Sequence, residues 1–316
     1  MRFIKETHID FMSKTGIAGL LSAFLIVFGV VSMVMNGGPK LSIDFKGGTL
    51  VAVNYTEPVD INEVRSFLDQ VSIDGQTFDF SKAEIKHFGA VGAIAPLKDE
   101  SNVAVRLPSM DDEPEQFSQK FVEKMAEAFP ALVPDNKTKF ILSIEKVGPK
   151  IGAELSGDAV MAIISALALI LIYISIRFEF KYAVGAIAAL THDVMITLGI
   201  FSILGFEVSL AVIAAFLTIV GYSLNDTIVI FDRIRENVKG LKNATLSTVI
   251  NESINQSLSR TVITSLTTFF VVLILFLVGG EVIHTFAFAM IVGVIVGTYS
   301  SIFVASPVVI KMDSGN

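Results

Sequence analysis

The stretch Val208–Phe231 reads Val-Ser-Leu-Ala-Val-Ile-Ala-Ala-Phe-Leu-Thr-Ile-Val-Gly-Tyr-Ser-Leu-Asn-Asp-Thr-Ile-Val-Ile-Phe, an apolar run that carries a single acidic side chain, Asp226. About 20 predominantly apolar residues are enough to cross a hydrocarbon core of about 30 Å, so this run is a membrane span. Five further runs meet the same test: Ile17–Met35, Ala159–Ile176, Tyr182–Leu204, Val262–Val278 and Val282–Ser306. The third span holds Asp193 beside His192, and the sixth holds His284 near its start. The fold class expected is a polytopic α-helical membrane protein of six transmembrane helices with one small α+β domain between the first and second.

Composition agrees. Of the 316 residues 52% are hydrophobic and 17% charged, and mean hydropathy is +0.67, more apolar surface than a soluble core of this size can hide. The net charge of −7 comes entirely from the segment between Gly37 and Asp158, while acids and bases balance elsewhere. No basic excess points to nucleic acid. The absence of cysteine excludes disulfides and thiolate metal sites. The expected division is residues 1–36 for the N-terminus and first span, 37–157 for the extramembrane domain, and 158–310 for the membrane region. That region comprises spans at 158–177, 182–204, 208–231, 261–279 and 282–306, and a tail follows at 311–316.

Lysine and arginine flanking the spans set the orientation. Arg2, Lys5, Lys14, Arg177, Lys181, Arg233, Arg235, Lys239, Lys242, Arg260 and Lys311 all fall on one side if the N-terminus is cytoplasmic, and the loops Gly205–Glu207 and Gly279–Glu281 hold none. Both termini are therefore expected in the cytoplasm and the middle domain outside. A signal peptide would need a shorter apolar run and an A-x-A site, so the first span is expected to remain as an anchor. The segment 232–260, with Val238, Leu241, Leu246, Val249, Ile250 and Ile254 among polar residues, predicts an amphipathic helix on the cytoplasmic membrane face, against lipid or neighbouring helices rather than a partner channel.

The middle domain reads as alternating strands and helices. Leu41–Phe45 and Thr49–Tyr55 predict strands joined by a turn at Lys46-Gly47-Gly48. Asp60 with Glu63 three residues later predicts a capping box opening a helix with Ile61, Val64, Phe67, Leu68 and Val71 on one face. Strands are predicted at Ala83–Phe88, Val103–Leu107 and Lys139–Val147. A second helix is expected from Asp112, with Phe117, Phe121, Met125 and Phe129 at successive i+4 positions and Pro130 ending it. The order suggests a ferredoxin-like sandwich.

Three strings carry a family likeness: Ile43-Asp44-Phe45-Lys46-Gly47-Gly48-Thr49, Val147-Gly148-Pro149-Lys150-Ile151-Gly152, and Gly221-Tyr222-Ser223-Leu224-Asn225-Asp226-Thr227 followed by Phe231-Asp232-Arg233-Ile234-Arg235-Glu236-Asn237. In these strings and in topology the chain resembles the SecD/SecF family of protein-export membrane proteins, within the resistance-nodulation-division superfamily, over nearly its whole length. The resemblance implies a partner, SecD, that supplies six more helices, and work beside the SecYEG channel that draws preproteins across the plasma membrane with the proton gradient. It extends the partner set to YajC and YidC. No cofactor is implied beyond the proton itself.

An ionised carboxylate inside a membrane helix costs roughly 2.5 to 3.5 kcal/mol, so such residues face the bundle interior and mark ion or proton paths. Asp226 and Asp193 are those residues, and Arg260, at the cytoplasmic entrance of the fifth span, is the expected counter-ion of Asp226. The resemblance implies the same assignment for Asp226 and Arg260. A static ion pair that fixes helix packing is the plainer reading. Ser257, Thr261, Thr264, Ser265 and Thr268 form a polar stripe that either carries water to the carboxylates or bonds backbone carbonyls. On the sixth span Ala289, Gly293, Gly297, Ser301 and Ala305 recur every fourth residue and predict a close helix contact, within the chain or towards SecD. No Walker string occurs, and the G-x-G-D of intramembrane aspartyl proteases is absent. The alternative function is a proton-driven small-molecule exporter of the same superfamily.

Overall fold

The protein is described from a computed structural model that covers residues 7–81, 83–89, 98–110, 113–241 and 244–313. Arg2, Lys5, Asp112 and Lys242, which entered the charge and helix readings, lie outside the described residues. The chain forms two compact units: a membrane unit of Met1–Lys40, Ala159–Phe276 and Val282–Asn316, and an extramembrane unit of Leu41–Asp158 with Leu277–Glu281.

In chain order the first long helix is α1 (Thr15–Met35), after which a single turn α2 (Ile43–Lys46) leads into β1 (Gly48–Asn54). The extramembrane unit continues with α3 (Ile61–Leu68), the ribbon β2 (Val71–Ile73) and β3 (Gln76–Phe78), then β4 (Glu84–Gly89), β5 (Lys98–Leu107), α4 (Phe117–Ala128), the turn α5 (Lys137–Phe140) and β6 (Ile141–Val147). The main sheet has the order β4-β5-β1-β6, all neighbours antiparallel, with Thr49 opposite Leu107, Glu84 opposite Arg106 and Gly48 opposite Val147. Val51, Val53, Val103, Val105 and Leu107 on the sheet meet Val64 and Leu68 of α3 and Phe117, Phe121 and Met125 of α4 in one buried core.

Two local expectations change. Residues 41–45 do not form a strand: Ser42 caps α2, its hydroxyl accepting from the Asp44 N–H at 3.2 Å, so the first family string opens with a helical turn. The glycines after it do more than turn the chain. Gly47 (φ 71°) and Gly48 (φ 126°) take left-handed conformations, and a Cβ on Gly48 would lie 2.5 Å from the Leu107 carbonyl oxygen. A Cβ on Gly47 would lie 3.0 Å from Pro149 Cα, and one on Gly152 2.9 Å from the Phe45 carbonyl oxygen. The strings around Asp44 and around Gly148-Pro149 are thus pressed backbone to backbone. Asp60 caps α3 through the Asn62 N–H at 2.8 Å, not through a reciprocal bond with Glu63.

The remaining helices are α6 (Pro149–Arg177), α7 (Phe180–Leu204), α8 (Leu210–Gly240), α9 (Leu246–Val278), α10 (Glu281–Ser300) and α11 (Ser306–Asp313). A π turn at Ser301–Ala305 joins α10 to α11, so the sixth span continues from Ile283 to Asp313. Among the described residues six helices are long and apolar enough to cross a membrane. Among the described residues of 232–260 no separate surface helix forms: α8 runs on to Gly240 and α9 begins at Leu246, and Val249, Ile250 and Ile254 pack with Phe231 and Ile234. Val249, Ile250 and Ile254 are core between two helix extensions, whereas Val238 and Leu241 stay exposed.

Close crossings hold the bundle. A Cβ on Gly29 of α1 would lie 2.6 Å from Gly199 Cα of α7, so neither position tolerates a side chain. Gly293 of α10 lies against Ile219 of α8, and a Cβ on Gly297 would lie 3.0 Å from Ser223 Cβ. The small-residue face therefore packs within the chain, against α8. By contrast α6 and α9 leave most apolar side chains open, among them Ile164, Leu169 and Ile172 on α6 and Phe270, Val271 and Ile274 on α9.

Candidate functional site

Asp193 sits on the face of α7 that α1, α8 and α10 enclose, and its side chain is fully buried. Its Oδ2 accepts from Ser223 Oγ of α8 at 2.6 Å and from Ser300 Oγ of α10 at 2.9 Å. Its Oδ1 lies 3.0 Å from Nδ1 of His192. The other ring nitrogen of His192 is 2.9 Å from Ser22 Oγ of α1, which is 2.9 Å from the Tyr299 hydroxyl of α10. Tyr299 in turn donates to the Ala18 carbonyl at 2.6 Å. Four helices are tied to one carboxyl group by bonds of good length.

Asp226, also buried, has a different environment. Its nearest donors are Thr264 Oγ1 at 3.5 Å and Ser265 Oγ at 3.4 Å, both on α9 and both at the limit of a hydrogen bond. Ser265 makes its short bond elsewhere, at 2.7 Å with Thr298 Oγ1 of α10. Among the described residues two buried hydroxyls nearby, Tyr222 Oη one turn earlier on α8 and Thr261 Oγ1 one turn earlier on α9, make no hydrogen bond of good geometry, although the hydroxyls of Ser265, Thr268 and Thr298 lie close to Tyr222. Such groups are few in folded proteins, and two beside one carboxylate mark a place built to take further donors or acceptors.

Arg260 does not pair with Asp226. Its side chain is exposed one turn before Thr264, and among the described residues it makes no ion pair. Along the polar stripe on α9, Ser257 Oγ bonds the Ser253 carbonyl at 2.8 Å and Thr264 Oγ1 the Thr261 carbonyl at 2.9 Å, and Thr264 and Ser265 also reach Asp226 at longer range. Ser301 bonds Thr227 Oγ1 at 2.9 Å and the Gly297 carbonyl at 3.0 Å, inside the π turn that brings Ser300 onto Asp193. Single-turn π insertions recur at functional positions because they rotate side chains out of register.

Ser22, Ser223, Tyr299 and Ser300 were not singled out in the sequence. The signal available was a lone hydroxyl in an otherwise apolar span, which in lipid needs a partner. Asn251 and Asn255 were also missed. Asn251 Oδ1 accepts from the Phe11 and Met12 N–H groups at 2.8 and 3.1 Å and its amide donates to Asp10 at 2.6 Å, while Asn255 bonds both the N–H and the carbonyl of Ile9. Segment 9–12 is thereby strapped to the start of α9. The Asn251 bond, with that of the Ser13 N–H, holds the Asp10 carboxyl below its usual range.

The profile of a family described as protein export membrane protein SecD/SecF, C-terminal, matches residues 130–315. A protein translocase subunit SecF of Calditerrivibrio nitroreducens is 42% identical over 313 residues, covering 98% of this chain and 95% of its own length. One of Thermodesulfovibrio yellowstonii is 42% identical over 316 residues, covering 99% and 97%. The crystal structure of SecDF from Thermus thermophilus, a translocon-associated membrane protein, matches with a TM-score of 0.81 and 37% identity, over 98% of this chain and 39% of that longer one. SecDF in a super-membrane-facing form matches with a TM-score of 0.66 and 37% identity.

Proposed function

Because the chain belongs to the SecD/SecF family of protein-export membrane proteins, we propose that it is the SecF-type half of a proton-driven device in which Asp226 binds and releases the coupling proton. It is a multi-pass protein of the bacterial inner membrane and a transport subunit, not an enzyme, assisting SecYEG-dependent translocation. SecD is the partner in the membrane, and YajC and YidC complete the same reading. The extramembrane unit lies outside, on the side without lysine and arginine at the short loops. Its sheet order and the places of α3 and α4 favour a ferredoxin-like sandwich.

The observation that carries the reading is the state of Asp226: buried, with two hydroxyls at 3.4 and 3.5 Å as its hydrogen-bond contacts among the described residues, and flanked by the poorly bonded hydroxyls of Tyr222 and Thr261. A permanent charge there is costly, and no strong donor fixes either protonation state. Arg260, one turn away on α9, is within a side-chain rearrangement of the carboxylate. Approach of its guanidinium favours the ionised form and withdrawal the protonated one. Asp193, saturated by its neighbours, serves as a second and slower proton site.

Asp226→Asn keeps shape but cannot release a proton. In inverted membrane vesicles this variant, co-assembled with SecD, should lose the gradient-dependent part of preprotein translocation while the ATP-driven part persists, and Asp226→Glu should retain some of it. Full gradient dependence in the asparagine variant would leave Asp226 a packing residue.

A further inference from the structure

We propose that His192 and Asp193 together hold one proton as a net-neutral dyad, a proton-binding site distinct from Asp226. Counting hydrogens along the chain of contacts leads there. The Ala18 carbonyl can only accept, so the single hydrogen of the Tyr299 phenol lies in the 2.6 Å bond to it. The 2.9 Å contact between Tyr299 Oη and Ser22 Oγ then has its hydrogen from Ser22. With that hydrogen turned to Tyr299, the 2.9 Å contact between Ser22 Oγ and His192 Nε2 has its hydrogen from the ring nitrogen.

A neutral imidazole protonated at Nε2 presents a lone pair at Nδ1. Nδ1 faces Asp193 Oδ1 at 3.0 Å, and a carboxylate there would set lone pair against lone pair. A hydrogen therefore lies between the two atoms, on Oδ1 of a carboxylic acid or on Nδ1 of an imidazolium. Either placement gives the pair the same proton count and no net charge. Oδ2 needs no proton, since Ser223 and Ser300 both reach it.

Burial fits this count. Asp193 is 0% and His192 6% exposed, and a net charge enclosed at span depth is costly, whereas the dyad carries none. The other titratable groups near it are Tyr299 of α10, whose ring stacks on His192 with centroids 5.9 Å apart, and Asp226, three residues beyond Ser223 on α8. Ser223 thus ties the dyad to the helical turn that bears Asp226. The tautomer of His192 is set from α1 and α10 through Ser22 and Tyr299, which makes these positioning residues for the proton.

The inference stands on donor counting and is independent of whether Asp226 couples to transport, so either can fail alone. Solid-state NMR of the full chain in lipid bilayers, with nitrogen-15 histidine and carbon-13 aspartate, reads it directly. Replacing His8, His87 and His284 by Gln leaves His192 as the sole histidine. Should that variant not fold, nitrogen-to-carboxyl dipolar coupling selects His192 in the unmodified chain. At neutral pH the expected spectrum has a protonated Nε2, together with either a protonated Asp193 carboxyl or a doubly protonated ring. An unprotonated Nε2 with the hydrogen on Nδ1 and an ionised Asp193 carboxylate would overturn the dyad.

Discussion

Two buried carboxylates, Asp193 on α7 and Asp226 on α8, lie against different neighbours, and they are built in opposite ways. Asp193 is enclosed by α1, α7, α8 and α10 and has a short partner for each oxygen. Asp226 looks towards α9, a helix whose outer face is open, and among the described residues its two hydrogen-bond contacts are long. Low dielectric strengthens a satisfied polar network and penalises an incomplete one, so the first arrangement locks helices together and the second stays ready to change partners. Residue type and burial are the same in both. What separates them is how many donors the fold has already committed to each oxygen.

The largest effect expected from this contrast is on stability. His192→Leu removes the partner of Asp193 Oδ1 and should destabilise the bundle by about 3 kcal/mol, because a buried acceptor is left unsatisfied. Asp226→Asn should change stability by no more than about 0.5 kcal/mol, having no short bond to lose. Thermal unfolding in detergent compares them, and equal losses would erase the distinction.

Next is Gly297→Leu, whose side chain must displace Ser223 and so pull a donor off Asp193. An overpacked contact of this kind costs about 2 kcal/mol. Reduced stability with SecD co-purification intact is the expected outcome, because the contact lies within the chain. Loss of SecD with unchanged stability would place that face at the partner interface.

The smallest effect concerns the strap at residues 9–12. Asp10 is held below its usual range in the folded chain, so its contribution is present above the unfolded value near about 4 and is lost as pH falls through the lowered folded value. Hydrogen-exchange protection of the Phe11 and Met12 amides, corrected for intrinsic rates, should fall on acidification, and Asn251→Ala should remove it at every pH. Protection insensitive to both changes would detach Asp10 and Asn251 from the strap.

Much of this was legible in the sequence. Length and apolarity alone reveal the spans, because lipid permits so few backbone solutions. Asp193 and Asp226 stand out for the same reason. Period-four glycines correctly mark a close face on α10, although only packing shows that Ile219 and Ser223 fill it. Other features depend on tertiary context. The apolar residues of 246–254 read as a stripe against lipid or neighbouring helices, and Val249, Ile250 and Ile254 are buried against Phe231 and Ile234 of α8. Residues 41–45 alternate like a strand, yet Ile43–Lys46 form a helical turn: the cap at Ser42 is local, and the pressure of Pro149 on Gly47 is a long-range fact. The pairing of Asp226 with Arg260 followed from matching depth on antiparallel helices, but equal depth does not fix which way a long side chain points.

Carbodiimide modification tests the contrast between the two carboxylates most directly, since the reagent attacks only protonated carboxyl groups it can reach. The full chain in proteoliposomes, treated with a membrane-permeant carbodiimide and mapped by mass spectrometry, should carry the adduct on Asp226 and none on Asp193. The Asp226 adduct should diminish as pH rises. Modification of Asp193 with Asp226 spared would contradict the assignment of a closed network to one and an exchangeable site to the other.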